Sequence, residues 1–293
     1  MINCLKILRN PLKKGVEKLR EEYPVKIYKK LKLQNSSLVI VWNKDVSKLG
    51  ANVIDYLDKK LGFQEFCEFE PGNFFFFEGV EVEDDLIQFP EVKFYASKKN
   101  NLLIFKSDLP QYNWYKFLNL ILDIAEHNGK IKELYTIGGI ISLIAHTEPR
   151  KPVAVFNSID IKKSFSNYNL ELNIDYKTPP DQRPTLNSFL LWIAKKRNIP
   201  GISLWVPIPF YFVSLDDPKA QKSVLEFFNQ RFTLGINLKD LDLKIEEQNK
   251  KIEQTRIYNS EIDDCIKKVE GEISLSEEEN SKLIKFIEEN LKK

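Results

Sequence analysis

GISLWVPIPFYFVSLDDPKAQKSVLEFF, residues 201–228, decides the fold of this chain. Gly201 to Val206 is an apolar, partly β-branched run and reads as a buried strand. Pro207 and Pro209 then remove two backbone donors and fix φ, so ladder pairing is expected to falter there. Asp216 or Asp217 can cap a new helix whose first residue is Pro218, a position where the missing N–H costs nothing. From there Val224, Leu225, Phe227 and Phe228 give the helix a buried face. A strand, an aromatic-lined crossing and a capped helix make the kind of place where α/β proteins keep ligand sites.

Upstream, strand and helix patterns alternate. Ser37–Asn43 reads as a strand and Val46–Leu61 as a helix closed by Gly62, a suitable C-terminal cap. Phe63–Phe69 carries a mixed strand signal. Phe74–Phe77 follows, and four consecutive phenylalanines on a strand must use both faces. Either both faces are buried or one meets another subunit, and the acidic residues from Glu78 to Asp85 favour the second. Leu86–Ser97 and Leu102–Ser107 read as a hairpin turning at Lys98–Asn101. Gln111–Asn128 has the apolar stripe of a helix, Leu134–Ile144 and Val153–Asn157 read as strands, and Thr185–Lys196 as a helix. Over residues 37–235 this alternation predicts one α/β domain, a largely parallel or mixed sheet between two helical layers.

The two ends differ in composition. Residues 1–36 hold ten Lys or Arg against three Glu, with Leu12, Val16 and Leu19 on one helical face. A solvated helix on the domain edge is preferred there over an arm for anionic surfaces. Residues 236–293 form a helical subdomain. From Leu238 onward the chain has 11 Lys or Arg against 15 Asp or Glu and no strand signal. Leu238, Leu241, Ile245, Gln248 and Ile252 keep coiled-coil spacing over two short heptads, and Ser276–Glu279 fits a capping box.

The totals exclude several classes. A net charge of +2 with 29% charged residues gives no global field for nucleic acid or acidic membrane. The N-terminus has no apolar core long enough for a signal peptide and no stretch is long and apolar enough to span a bilayer, so a soluble cytoplasmic protein is expected. Cys4, Cys67 and Cys265 are far apart, which argues against a disulfide framework and a zinc site. Walker, G-x-G-x-x-G, G-x-S-x-G and H-E-x-x-H sequences are missing, so neither a cofactor nor a metal is expected. His127 closes a helix and complements its dipole. His146 stands in His146-Thr147-Glu148-Pro149-Arg150, a group that can be a base, an anion clamp or, more commonly, a loop anchor. Asp181–Pro184 precedes a helix N-terminus and reads foremost as a cap.

Ser203-Leu204-Trp205, Pro209, Tyr211 and Asp217-Pro218-Lys219-Ala220 resemble a block of the proteasome assembly chaperone family, in its bacterial and archaeal branch. There the block reads Ser-Leu-Trp, Pro-His-Tyr and Pro-Asn-Pro-Lys-Ala; Phe210 and Asp217 replace the His and the Asn. Pro90, Tyr95, the Leu102–Asp108 strand with Pro110 and Trp114, and Tyr135–Gly138 fall in the family's order. His146-Thr147 is similar to its His-Thr-Arg-Pro turn, with Glu148-Pro149 intervening before Arg150. Pro184-Thr185 resembles a Gly-Pro-Thr-Gly turn without its glycines, and Asp264–Ile266 with Val269-Glu270 resembles the terminal helix signature.

The resemblance implies a three-layer α/β/α sandwich similar to nucleoside phosphorylases, a helical C-terminal part and ring-like homo-oligomers, often trimers. It implies a non-enzymatic assembly-chaperone or scaffold protein whose partners are itself and another, unidentified protein. The alternative is a small-molecule binder or hydrolase using the phosphorylase-like cleft, for which the sequence offers no nucleophile–base pair. Archaeal relatives can end in a hydrophobic-Tyr-any motif; Asn290–Lys293 lacks it, so that docking mode is not expected. If a pocket forms, it should gather His146, Thr147, Arg150, Thr185, Trp205 and Tyr211 from three turns at strand ends. Phe74, Phe75, Phe76 and Phe77 are the candidate interface.

Overall fold

The computed structural model describes residues 25–29, 31, 33–70, 72–76, 81–83 and 85–291. The basic helix expected over residues 12–19, Phe77 of the candidate interface and the final Lys292-Lys293 lie outside them.

An eight-stranded mixed sheet runs through the centre. Its strands are β1 (Val25–Ile27), β2 (Ser36–Trp42), β3 (Gln64–Phe69), β6 (Val92–Ser97), β7 (Leu102–Ser107), β8 (Ile131–Ser142), β9 (Val153–Phe156) and β10 (Gly201–Pro209). Their spatial order is β1-β3-β6-β7-β2-β8-β10-β9, while β4 (Glu81–Glu83) and β5 (Leu86–Gln88) form a separate two-stranded ribbon. The four central strands β7, β2, β8 and β10 are parallel, and the flanking strands pair antiparallel.

Alternation along the central strands explains the layers. Val39, Val41, Ile104, Ile202 and Leu204 point into one core, where α1 (Leu49–Leu61) and α5 (Pro218–Phe232) bury Val53, Leu57, Val224 and Phe228. Leu38, Ile40, Leu103 and Phe105 point into the opposite core, against Phe117 and Ile121 of α2 (Trp114–His127) and Leu190 and Ile193 of α4 (Leu186–Lys196). Strands covered on both faces read as unbroken apolar runs, as Leu38–Trp42 and Leu102–Phe105 do. The short α3 (Ile159–Lys163) follows β9. The chain is thus an α/β fold, a mixed sheet between helical layers.

After Gly235, α6 (Lys239–Tyr258), α7 (Ser260–Glu270) and α8 (Glu277–Leu291) form the helical C-terminal part. Leu241, Ile252, Ile262, Ile266, Leu283 and Ile287 are fully buried in the same core as α1 and α5. The heptad-like seam of α6 is therefore covered within the chain, by α5, α7 and α8, and does not wait for a second copy. Asn259 caps α7 by accepting from Ile262 N–H at 3.2 Å. The expected capping box closes at Ser276–Glu279, with reciprocal bonds of 2.9 and 3.2 Å.

Three local expectations change. Pairing does not falter at Pro207 and Pro209: β10 stays in register with β8 to the Pro209–Ser142 pair. The two prolines share one side of the strand, and β9 on that side pairs only as far as Trp205, so no donor is missed. The arm Leu86–Ser97 is two pieces, β5 in the ribbon and β6 in the main sheet, separated at Phe89–Glu91. Residues 72–76 form a turn rather than a strand, which lets Phe74 and Phe75 turn inward onto Phe117 with centroids 5.0 and 5.9 Å apart.

Candidate functional site

The strand order reverses around β2, since β7 lies on one side of it and β8 on the other. Such a reversal opens a crevice at the carboxyl ends of the parallel strands. A cavity of about 350 Å³ lies there, lined by Trp42, Asp45, Trp114, Gly138, Thr185 and Trp205, together with Lys44, Leu109 and Asn187.

Local sequence shapes it. A Cβ on Gly138 would lie 2.8 Å from Cζ3 of Trp205, so the glycine is what lets that indole lie flat across the neighbouring strand. Trp42 Nε1 donates to Asn187 Oδ1 at 2.7 Å, while Asn187 Nδ2 donates to the Ile137 carbonyl at 3.4 Å. The Thr185 hydroxyl caps α4 by accepting from Ser188 N–H at 3.2 Å. These polar groups are therefore engaged. Asp45 differs: its Oδ2 accepts from Gly50 N–H at 3.2 Å, but its buried Oδ1 has no hydrogen-bond partner among the described residues. Burial pushes its carboxyl up to about 7, and backbone N–H groups only partly offset this.

A second polar group lies on the α1/α5 side of the sheet. Arg150 Nε donates to Asp217 Oδ2 at 2.8 Å with both side chains wholly buried, and its other nitrogens donate to the carbonyls of Ala145, Glu148 and His146. Asp217 Oδ1 accepts from Ala220 N–H at 3.0 Å, capping α5, while its own N–H donates to Ser47 Oγ at 3.1 Å. Tyr211 accepts at its hydroxyl from His146 N–H at 2.6 Å and lies 3.1 Å from His146 Nδ1. Burial holds the His146 imidazole down at about 4, helped by Lys219, Arg256 and Arg150, so it is neutral at pH 7. Ser47 and Lys48 sit consecutively in the left-handed region, with φ of 62° and 48°, and the cluster holds that turn in place.

The six residues expected to share a pocket are divided. Thr185 and Trp205 line the cleft; His146, Arg150 and Tyr211 belong to the buried cluster; exposed Thr147 contributes its carbonyl to Lys219 Nζ at 3.1 Å. On β10 Trp205 points opposite to Leu204 and Val206, and the helical turn at Phe210–Phe212 then breaks the alternation and buries Tyr211 on the Leu204 side. Sequence reading missed Asp45, Trp42 and Trp114 as cleft residues. The available signal was Trp42-Asn43-Lys44-Asp45 directly after a buried strand. Of the candidate interface, Phe74 and Phe75 lie in the chain's own core and Phe76 is exposed.

One surface stands out as apolar. Pairing of β8 with β2 stops at Thr136, so among the described residues the last six of β8 pair only with β10. Ile140, Ile141 and Leu143, at the end of this projecting arm, are 42%, 55% and 67% exposed. Val82, Leu86, Ile87 and Phe89 are likewise exposed on and beside the ribbon.

A mixed sheet between two helical layers, with a cleft at its strand reversal and a buried Arg–Asp clasp behind it, defines the architectural class. Within that class the chain belongs to the PAC2 family, whose model matches residues 44–256. No curated protein matches it in sequence. Among solved structures it is similar to a Corynebacterium glutamicum protein of unknown function, with a TM-score of 0.69 and 16% identity over 85% of this chain and 94% of that one. A Mycobacterium tuberculosis proteasome-assembly chaperone homologue gives 0.62 and 15% over 75% and 94%. Pyrococcus furiosus PbaB, an archaeal proteasome activator, gives 0.64 and 19% over 79% and 98%.

Proposed function

We propose that this chain acts as an assembly-chaperone-like or scaffold protein through protein–protein contacts, and that it works as a homo-oligomer, a trimer, in the cytoplasm. The observation that carries the reading is the projecting end of β8. It offers Ile140, Ile141 and Leu143 to solvent beside a strand edge that, among the described residues, pairs with no strand beyond Thr136. Exposed edges bearing apolar side chains are costly in a monomer and are ordinarily covered by a partner or a symmetry mate. Family membership and the fold shared with a proteasome-assembly chaperone homologue and an archaeal proteasome activator support the chaperone reading. Among the described residues no helix is long and apolar enough to cross a membrane.

Light scattering at micromolar concentration tests self-association: a particle of about three times 34.3 kDa is expected, and a monomer mass overturns that part. Co-purification from the native cell, comparing the unsubstituted chain with an Ile141→Asp, Leu143→Asp variant, tests the partner. A protein held by the first and lost by the second supports the reading, with proteasome subunits one specific arm. Equal capture by both overturns it.

A further inference from the structure

Three of the four tryptophans in the chain, Trp42, Trp114 and Trp205, line the cleft at the strand reversal. Its volume of about 350 Å³ falls in the range of small-molecule sites. The rings are held in place from behind: Trp42 by its bond to Asn187, Trp114 by donating from Nε1 to the Pro110 carbonyl at 2.8 Å, and Trp205 by its seat on Gly138. Indoles fixed in this way form a preformed apolar wall that favours flat, polarisable rings over flexible aliphatic chains. Specificity in such a site comes from a few polar groups with spare capacity. Asn187 and Thr185 are already bonded, whereas Asp45 Oδ1 is buried and has no partner among the described residues, which is costly unless something supplies a donor. Lys44, an exposed residue, also lines the cleft, so the acid and the base favour opposite ligand charges.

We propose that this cleft binds a small planar aromatic molecule bearing N–H donors, its ring against the tryptophans and its donors satisfying Asp45. Gly138 and Gly139 of β8 line the cleft and adjoin the exposed Ile140 and Ile141. A ranking of small ligands is nevertheless read separately from particle mass, so the proposal and the self-association reading can fail independently. A planar amidinium fits these requirements best, since it carries forked donors for a carboxylate and adds a cation–ring attraction.

The test uses tryptophan emission from the full chain carrying Trp192→Phe, which removes the one indole outside the cleft. Benzamidine, toluene and benzoate share a ring and differ in charge and donors. At pH 8, benzamidine should change the emission saturably and bind at least tenfold tighter than toluene or benzoate. Asp45→Asn should abolish that advantage and leave toluene unaffected. Benzoate binding as tightly as benzamidine would mean that Lys44 governs the site and would overturn the proposal. Failure of all three ligands to saturate, or an advantage that survives Asp45→Asn in folded protein, would overturn it too. Should the Asn variant not fold, the ranking of the three ligands on the Trp192→Phe chain decides alone.

Discussion

Arg150 and Asp217, 67 positions apart in sequence, form an ion pair of 2.8 Å with both side chains wholly buried. The pair ties the loop after β8 to the cap of α5, and the Arg150 fork also satisfies three loop carbonyls. Arg150→Met strips the partner from a buried carboxylate and leaves those carbonyls unbonded. A loss of about 3–5 kcal/mol in urea unfolding is expected, as for other half-broken buried pairs. A loss below about 1 kcal/mol would show that water replaces the guanidinium.

His146 and Asp45 should oppose each other in acid. The imidazole, held at about 4 against an ordinary 6.5, resists the proton when folded. Its contribution to stability is complete above pH 6.5 and fades, by on the order of 3 kcal/mol, as pH falls through 4. Asp45, pushed up from 3.8 to about 7, runs the other way. Its favourable contribution is complete below pH 3.8 and is lost as pH rises through 7. The unsubstituted protein should therefore show a shallow net slope between pH 4 and 7 from these two groups. Asp45→Asn should expose the His146 slope, with urea midpoints falling towards pH 4, and should stabilise the protein at pH 8 by roughly 1–3 kcal/mol. Midpoints at four pH values in both proteins check both signs.

Neighbouring phenylalanines should behave differently. Phe75→Ala opens a cavity against Phe117 and should cost about 3–5 kcal/mol in chemical denaturation. Phe76→Ser alters an exposed ring that touches Tyr112, and should cost under about 1 kcal/mol. Equal losses would contradict the turn at 72–76.

Gly138→Ala probes the wall of the cleft. The added methyl meets Trp205 at 2.8 Å, so the indole must move, and about 1–3 kcal/mol should be lost. Near-ultraviolet circular dichroism should show an altered tryptophan band while the far-ultraviolet signal stays unchanged. An unaltered band would mean that the ring is not seated there.

Most of the layered architecture was legible because its signals are local. Leu38–Trp42 and Leu102–Phe105 are unbroken apolar strands, Asp217-Pro218 announces α5, and Ser276–Glu279 announces α8. The composition of the cleft was less legible. Trp205 and Thr185 were foreseen as pocket residues, but parity decides which face a strand residue serves, and the β10 residues before Tyr211 could not be assigned to a face until the sheet was assembled. Asp45 carries no motif at all; its character comes from burial beside Gly50. The phenylalanine run misled as a strand because residues 72–76 form a turn, which releases Phe74, Phe75 and Phe76 from alternation.

Helix α8 lies against the Phe210–Phe212 turn at the end of β10, and Leu283 and Ile287 share its core. That contact joins positions separated by roughly 70 residues, so it is a late event in any ordered assembly of the chain. During synthesis, Phe210, Tyr211 and Phe212 leave the ribosome seconds before the helix that shields them, at about 5–20 residues per second. For that interval a cluster of three aromatic rings is open to other nascent chains. This face, rather than the finished surface, is where holdase binding and co-translational aggregation should concentrate.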